Sequence, residues 1–285
     1  MRLESSAPLF FMIRAQRVLA SLTGLSRRAC EDLLAQGRVR RAGSGEVLCL
    51  GQSIPADVAL TVDGGALGQA PMLKYFAFHK PPSVLSSWSD PHRRPCLADA
   101  VMLDSCTKRS LLHVGRLDWE SEGLLLLTSD GKWANAVSHP SLGVSKTYLC
   151  EIERKGGGAA DLPGRLLGGV PLPGEDRTVR AKAASILPLS QARLAFLPCR
   201  RPLEDNKRPL DSRLYLQLSL EDGRNRVVRR ALAALGFPVT RLLRRAIGKL
   251  ALGGLGHGQH RELSAEEVQG FLQGKEEVQG FLQGN

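Results

Sequence analysis

The sequence predicts a two-domain protein of the α+β class, with a small helix-led domain followed by a larger domain built around strands. Three observations carry this. The chain has 285 residues, 43% of them apolar, which suits two globular cores and excludes a disordered chain. A stretch rich in glycine and alanine, Gly64 to Ala70, divides an early run of helix and turn signals from a longer, strand-rich remainder. In that remainder, Tyr75 to Phe78, the apolar run Leu124 to Leu127 and the alternating Lys146 to Ile152 read as strands, and Asn225 to Leu235 as a helix. No apolar run approaches the roughly 18–20 residues that span a bilayer. The stretch Pro8 to Met12 is too short for a secretory signal, and no small-residue cleavage site follows it.

The first helix, Arg17 to Leu22, meets Gly24, a residue free to take the left-handed conformation that closes a helix. Ser26 supplies the side-chain oxygen that caps the next helix, Arg27 to Gln36, and Gly37 stops it. Ala29, Leu33 and Leu34 make the buried stripe of that second helix. Short strands are expected from Arg38 to Arg41, Val47 to Leu50 and Ala59 to Val62, before the turn Asp63–Gly64.

Charge adds a functional reading. The chain carries 39 basic and 28 acidic residues, a formal net charge of +11, so a polyanion is among the expected partners. The excess is local. Arg14 to Arg41 holds seven arginines and two acids, and Arg224 to Lys249 holds eight basic residues and no acid. Two separated basic patches fit a protein that grips a nucleic acid at two places. Arg27 and Arg28 sit on a first helical turn, where the dipole disfavours cations but attracts a phosphate. A solvated helix end with a small electrostatic penalty is the plainer reading of the same pair.

From about Ala15 to Leu67 the chain resembles the S4 RNA-binding domain, through Ser26-Arg-Arg28, the segment Leu34 to Val39, and the closing Val62-Asp-Gly64. The resemblance gives residues 13–68 as an RNA-binding domain, with Arg27, Arg28 and Arg38 as RNA contacts. The usual R-V-x-V-N-G turn is replaced here by Arg38-Val-Arg-Arg-Ala-Gly43.

In the larger domain, Pro81 and Pro82 end the Tyr75 strand and make an extended turn expected to expose Lys80. The run Leu124 to Leu127, bounded by Gly123 and Asp130-Gly131, reads as a strand buried on both faces. The loop before it therefore enters the core carrying Arg116, Asp118, Glu120 and Glu122. An acid at the mouth of a buried strand is a candidate catalytic carboxylate, while an aspartate satisfied within a turn is the simpler alternative.

Val114-Gly-Arg-Leu-Asp-Trp-Glu-Ser-Glu-Gly-Leu-Leu-Leu-Leu-Thr-Ser-Asp-Gly131 resembles the central motif of the ribosomal RNA pseudouridine synthases, in the family that joins type A, of the small subunit, to types B, E and F, of the large one. Further matches follow in that family's order: Lys80-Pro81, with Ser83 where the family has glycine; Lys146-Thr-Tyr148; Glu221 to Arg230, with Val227 for glutamine and an inserted Asp222; and Leu242 to Gly248. They cover residues 72–267. The resemblance implies a largely antiparallel mixed sheet and isomerisation of a uridine in ribosomal RNA, with no metal and no cofactor.

It further implies that Asp118 is the catalytic carboxylate, that Arg229 holds it charged, and that Tyr148 packs on a base flipped from its stack. Arg116 helps to extrude that base, Leu242 lines the pocket, and Arg224, Arg226 and Arg230 join Lys80 in meeting phosphate. Ser121 to Gly123 and the insertion Arg200 to Pro209 look most like the E type, so a large-subunit target is favoured. Two rivals stay open. One is a catalytically silent RNA-binding or ribosome-assembly factor on the same fold. The other is a glycosidase, which would need a second well-placed acid.

Six cysteines without a C-x-x-C pair or a nearby histidine at ligand spacing read as reduced thiols. A cytoplasmic, monomeric protein is expected, or an organellar one if the source is eukaryotic. Residues 268–285 hold the second half of a tandem repeat, Glu266 to Gly274 recurring as Glu276 to Gly284. The first copy belongs where the family's last helix falls, and the second reads as a duplication without function.

Overall fold

Residues 12–68, 71–139, 142–153, 159–196 and 213–271 are described by a computed structural model. They form two compact units. One takes the chain to Leu73 together with Asp104–Leu111, and the other takes Lys74–Leu103 and the chain from Leu112. The inclusion of Asp104–Leu111 in the first unit is marked by no shift in composition.

In the first unit, β1 (Met12–Arg14) leads into α1 (Ala15–Thr23). Gly24, at φ +70°, closes α1 with its amide on the Ala20 carbonyl. Ser26 caps α2 (Arg27–Ala35) by accepting from the Ala29 amide at 3.2 Å. Then come β2 (Val39–Arg41), β3 (Ser53–Pro55), β4 (Leu60–Val62) and β5 (Gly65–Ala66). β1 pairs with β3, and β2, β4 and β5 form a separate antiparallel sheet.

The inward stripe of α2 is Cys30 and Leu34, one turn apart, with Leu33 at the edge and Ala29 only half-buried. The thiol serves as a small hydrophobe there. Val47 to Leu50 makes a single bridge, Val47 to Arg40, instead of a strand. Leu48 turns into the core, and the chain leaves extension at Gly51, φ +82°.

The second unit runs β6 (Tyr75–Lys80), α3 (Leu97–Ala100), then past α4 (Ser105–Ser110) of the first unit to β7 (Leu112–Val114), β8 (Glu122–Thr128), α5 (Gly131–Ser138) and β9 (Lys146–Glu153). It continues with α6 (Leu162–Gly168), β10 (Ala183–Leu187), α7 (Leu189–Phe196), β11 (Arg213–Leu220), α8 (Val227–Ala234), β12 (Val239–Ile247), β13 (Leu250–Ala251), β14 (His260–Glu262) and α9 (Ala265–Gly270). One mixed sheet has the order β10-β11-β9-β12-β8-β6-β14, with β13 beside β12 and β7 beside β8. Among the described residues its pairings are antiparallel except β12 with β8, which are parallel through Leu243 to Glu122 and Arg244 to Gly123.

Every residue of β8 is buried, because both faces of the sheet are covered. One face packs Tyr148, Cys150, Ile152 and Leu242 with residues of α6 and α8. The other packs Leu124, Leu126, Leu149 and Leu243 with α5, α7 and Phe271. Phe271 meets Trp133 edge-on, and Trp133 Nε1 donates to the Val268 carbonyl, so the first repeat copy closes this face. The second copy, the insertion Arg200 to Pro209 and Cys199 lie outside the described residues. Among the described residues no helix is long and apolar enough to cross a membrane.

Beneath the sheet's parallel joint lies a buried ionic cluster. Glu122 accepts from Arg241 Nε at 2.5 Å and meets His257 Nε2 at 2.6 Å. Burial alone would raise the Glu122 carboxyl, but hydrogen bonds from His257 and Arg241 hold it at about 2. His79 stacks edge-on to His257, with its Nδ1 on the Leu255 carbonyl at 2.7 Å. Burial pushes the His79 imidazole down to about 4. Between that value and roughly 6.5 the unfolded chain binds the proton more readily, so stability contributed by neutral His79 is full above pH 6.5 and lost as pH falls towards 4. Lowering the pH from 7 to 4.5 is expected to cost wild type about 2.5 kcal/mol more than it costs His79→Asn. Urea melts at the two pH values check this, and equal losses in both proteins would refute it.

Candidate active site

The loop from Gly115 to Ser121 delivers its side chains to the edge of a cleft because the segment after β6 fastens its backbone. Ser86 Oγ donates to the Leu117 carbonyl at 2.8 Å and accepts from the Leu117 amide at 3.0 Å. The Ser83 amide donates to the Trp119 carbonyl at 2.8 Å, and the Ser121 amide closes a turn on the Asp118 carbonyl at 3.0 Å. Lys80 Nζ donates to the carbonyls of Ser121 and Pro81, both at 2.8 Å.

This corrects the expected exposure of Lys80. Its side chain is fully buried, and burial lowers its ammonium to about 8. The prolines do end β6, but Lys80 is still a strand residue facing inward, so it positions the loop and offers nothing to phosphate. Ser83, at φ +59°, occupies a left-handed position where glycine would fit without strain.

The cleft has a volume of about 240 Å³. It is lined by Arg116, Leu117, Asp118 and Ser121 of this loop, Lys146 and Tyr148 of β9, Asp222 to Val228 ahead of and on α8, and Leu242 and Arg244 of β12. The structure thus brings together Asp118, Tyr148, Leu242 and Arg116. Tyr148 and Leu242 are buried, Arg116 is exposed, and the Asp118 side chain is about one quarter exposed.

The expected Asp118–Arg229 pair is not formed. Asp118 Oδ2 lies 3.9 Å from Arg226 Nη1. Arg229 instead donates to the Val239 carbonyl at 3.0 Å and to Ser121 Oγ at 3.4 Å, with Glu120 3.6 Å from its Nε. The physical reason is local: Arg226 takes the left-handed conformation, φ +51°, immediately before α8, which swings it towards the loop and leaves Arg229 one turn deeper. Burial lowers the proton affinity of Arg229, while Glu120, and more weakly Asp118, favour its charge.

The other expected phosphate contacts divide. Arg27 and Arg28 are exposed. Arg38 is held by Asp63 at 2.5 Å. Arg224 is bound by Asp222 at 2.6 Å and by Glu175, and Arg230 by Glu175 at 2.5 Å. Acids already occupy these two guanidiniums, so they brace the segment before α8 and are not free cations. Lys146 and Arg244 also stand in the cleft, and the sequence does not single out either. Both lie inside family motifs, and alternation puts Lys146 on the face of Tyr148, whereas the approach of Arg244 to that face comes from the pairing of β12 with β9.

Of the possible metal ligands, His79, Glu122 and His257 place ligand atoms within 4.8 Å of one another. Both Glu122 oxygens are taken, one by the Arg241 cation, so the cluster reads as an ion-pair network.

A family model described as RNA pseudouridylate synthase matches residues 74–234, which include the loop that carries Asp118 and the cleft lining except that from β12. The chain belongs to this family. The synthase is 37% identical over 257 residues to an uncharacterized RNA pseudouridine synthase of Mycobacterium tuberculosis strain H37Rv, covering 90% of this chain and 91% of the relative. It is 33% identical over 258 residues to ribosomal large subunit pseudouridine synthase B of Bacillus subtilis, covering 90% and 95%. Among solved structures it matches a crystal structure of a pseudouridylate synthase at TM-score 0.57 and 25% identity, covering 91% of this chain and 99% of the other.

Proposed function

We propose that the synthase isomerises a uridine of ribosomal RNA, favouring the large subunit, with Asp118 as the carboxylate that acts at the anomeric carbon. The observation that carries the catalytic part is the place of Asp118: a carboxylate on a fastened loop at the rim of a cleft whose wall is Tyr148 and Leu242. The reaction breaks N1–C1′, turns the base and joins C5 to C1′. A negative group beside the sugar supports the charge that develops there. Tyr148 offers its ring to the flipped base, and Arg116, exposed at the cleft rim, suits a flanking phosphate. The ribosomal target follows the name of the Bacillus subtilis relative. Carbodiimide mapping of pseudouridine on ribosomal RNA transcripts treated with the protein tests the reading. A single new stop in large-subunit RNA is expected, whereas RNA binding without any stop would favour a silent RNA-binding factor.

The first unit then acts as an S4-type grip on the RNA, with Arg27 and Arg28 on the capped first turn of α2. Replacing both by glutamine in the full chain is expected to weaken RNA binding and to reduce the log–log salt slope by about 0.7–0.9 for each lost phosphate contact. Turnover of bound RNA should persist. Filter binding across a salt series measures the slope, and an unchanged slope would remove these arginines from the interface.

A further inference from the structure

Two carboxylates, Asp118 and Glu120, stand two residues apart on the loop that fastens to the segment after β6, and two guanidiniums, Arg226 and Arg229, stand at the start of α8. An even pairing would give each acid one cation. The structure favours Glu120 instead. Arg226 Nη2 donates to Glu120 Oε2 at 3.2 Å, and Arg229 Nε lies 3.6 Å from the same oxygen. Asp118 is approached by Arg226 Nη1 at 3.9 Å, too far for a hydrogen bond.

Arg229 is anchored apart from either acid, by the Val239 carbonyl and Ser121 Oγ. Burial lowers its proton affinity, and of the acids that oppose this, Glu120 acts more strongly than Asp118. Arg226 has no such anchor. Its side chain is 42% exposed, and among the described residues the partners of its guanidinium are Glu120 and Asp118. The two acids therefore compete for one guanidinium, and the geometry gives it to Glu120. They also differ in place: Asp118 lines the cleft, and Glu120 does not.

We propose that Glu120 is a positioning residue for the reaction: by holding Arg226 it keeps that cation from closing on Asp118, so the Asp118 carboxylate meets the substrate sugar with its charge unspent. The inference rests on the catalytic role proposed for Asp118. A guanidinium in hydrogen-bond contact with a carboxylate takes one of its acceptor sites and cancels much of its field. Both are what the carboxylate offers to C1′, since its use there depends on a charge already in place and directed at the carbon. Arg226 needs only a small side-chain turn to make that contact, and the hydrogen bond to Glu120 opposes it. Glu120 thus acts on the reaction through Arg226, from outside the cleft.

The test is a double-mutant cycle read in rate. Glu120→Gln keeps the shape of the side chain and removes its charge, and because that side chain is 54% exposed the fold is expected to tolerate it. At saturating enzyme, the single-turnover rate on the ribosomal RNA transcript that wild type modifies is expected to fall about tenfold, short of the roughly 100-fold for complete loss of a preorganised electrostatic group. The RNA Kd should stay within about threefold of wild type or tighten, since an acid has been removed. In an Arg226→Gln background no guanidinium is there to turn, and the same change is expected to alter the rate less than about threefold from Arg226→Gln alone. Damage to the loop would cost the same in both backgrounds, so equal falls would overturn the proposal. An unchanged rate in Glu120→Gln would overturn it too: with an unchanged Kd Glu120 is a surface ion pair, and with a tighter Kd it is a brake on RNA binding. Asp118→Asn is run alongside. Turnover by that variant would end the reading of Asp118 whatever Glu120→Gln shows, whereas an inactive Asp118→Asn beside an unaffected Glu120→Gln would remove only the role given to Glu120.

Discussion

Asp118→Asn is expected to reduce pseudouridine formation to below about one thousandth of wild type, a barrier increase of at least about 4 kcal/mol. The amide preserves the shape of the side chain but removes the charge beside C1′. RNA affinity should stay within about threefold, roughly 0.7 kcal/mol, because a carboxylate adds no attraction for phosphate. Folding stability should also change little. The Asp118 side chain is about one quarter exposed and its ion pair with Arg226 is a 3.9 Å contact, and exposed pairs of that kind contribute about 1 kcal/mol or less. Single-turnover conversion, filter binding and a thermal melt on one preparation separate the three quantities. Turnover near wild type would end the catalytic assignment, and a large fall in melting temperature would show that the carboxylate also braces the loop.

The small stability effect is where the structure changes what the sequence leads one to expect. The motif around Arg229 suggests a buried carboxylate kept charged by a buried arginine. That inference needs the helix to begin where the pattern begins. Arg226 is left-handed instead, so the rim arginine hydrogen-bonds Glu120 and lies 3.9 Å from Asp118, while the deeper one is spent on Val239 and Ser121. One backbone dihedral decides this, and no residue preference announces it, since a non-glycine left-handed residue is uncommon.

Other parts are legible for identifiable reasons. Leu124 to Leu127 is a continuous apolar run between a glycine and a turn, and it emerges as the core of the fully buried β8. Gly24 and Ser26 are local capping signals, and both act as caps. Tyr148, Cys150 and Ile152 share a face because strand side chains alternate, whatever the strand pairs with.

Long-range placement is not legible. The second basic window reads as surface in the sequence, yet Arg241 and Arg244 are buried and Arg224 and Arg230 are paired with acids. Their partners Glu122 and Glu175 lie far away in sequence. Lys80 fails in the same way: the prolines beside it mark a turn, while its burial depends on the distant Ser121 carbonyl. The parallel joint of β12 with β8 joins residues about 120 positions apart, so nothing local foretells it.

That joint carries the second large effect, Gly123→Ala. Gly123 has φ +113°, and a Cβ there would lie 2.6 Å from the Arg244 amide nitrogen and closer still to its carbonyl oxygen. Neither partner can yield cheaply. The obstructing atoms are backbone, β8 is buried along its whole length, and β12 is fixed on its other side by β9. Backbone strain at such a φ costs about 1–3 kcal/mol, and overpacking costs about 1–3 kcal/mol more, so a loss near 4 kcal/mol is expected. For a unit of this size that lowers the melting temperature by about 8–16 °C. The protein that still folds should be impaired too, because the displaced backbone is that of Arg244 in the cleft floor. Gly131→Ala is the matched control: its Cβ would meet only Leu112 Cδ1 at 3.6 Å, an ordinary contact, and it should melt within about 4 °C of wild type, roughly 1 kcal/mol. If the two alanine variants melt together, the close approach of β8 to β12 does not hold the site in place, and the role given to Gly123 fails.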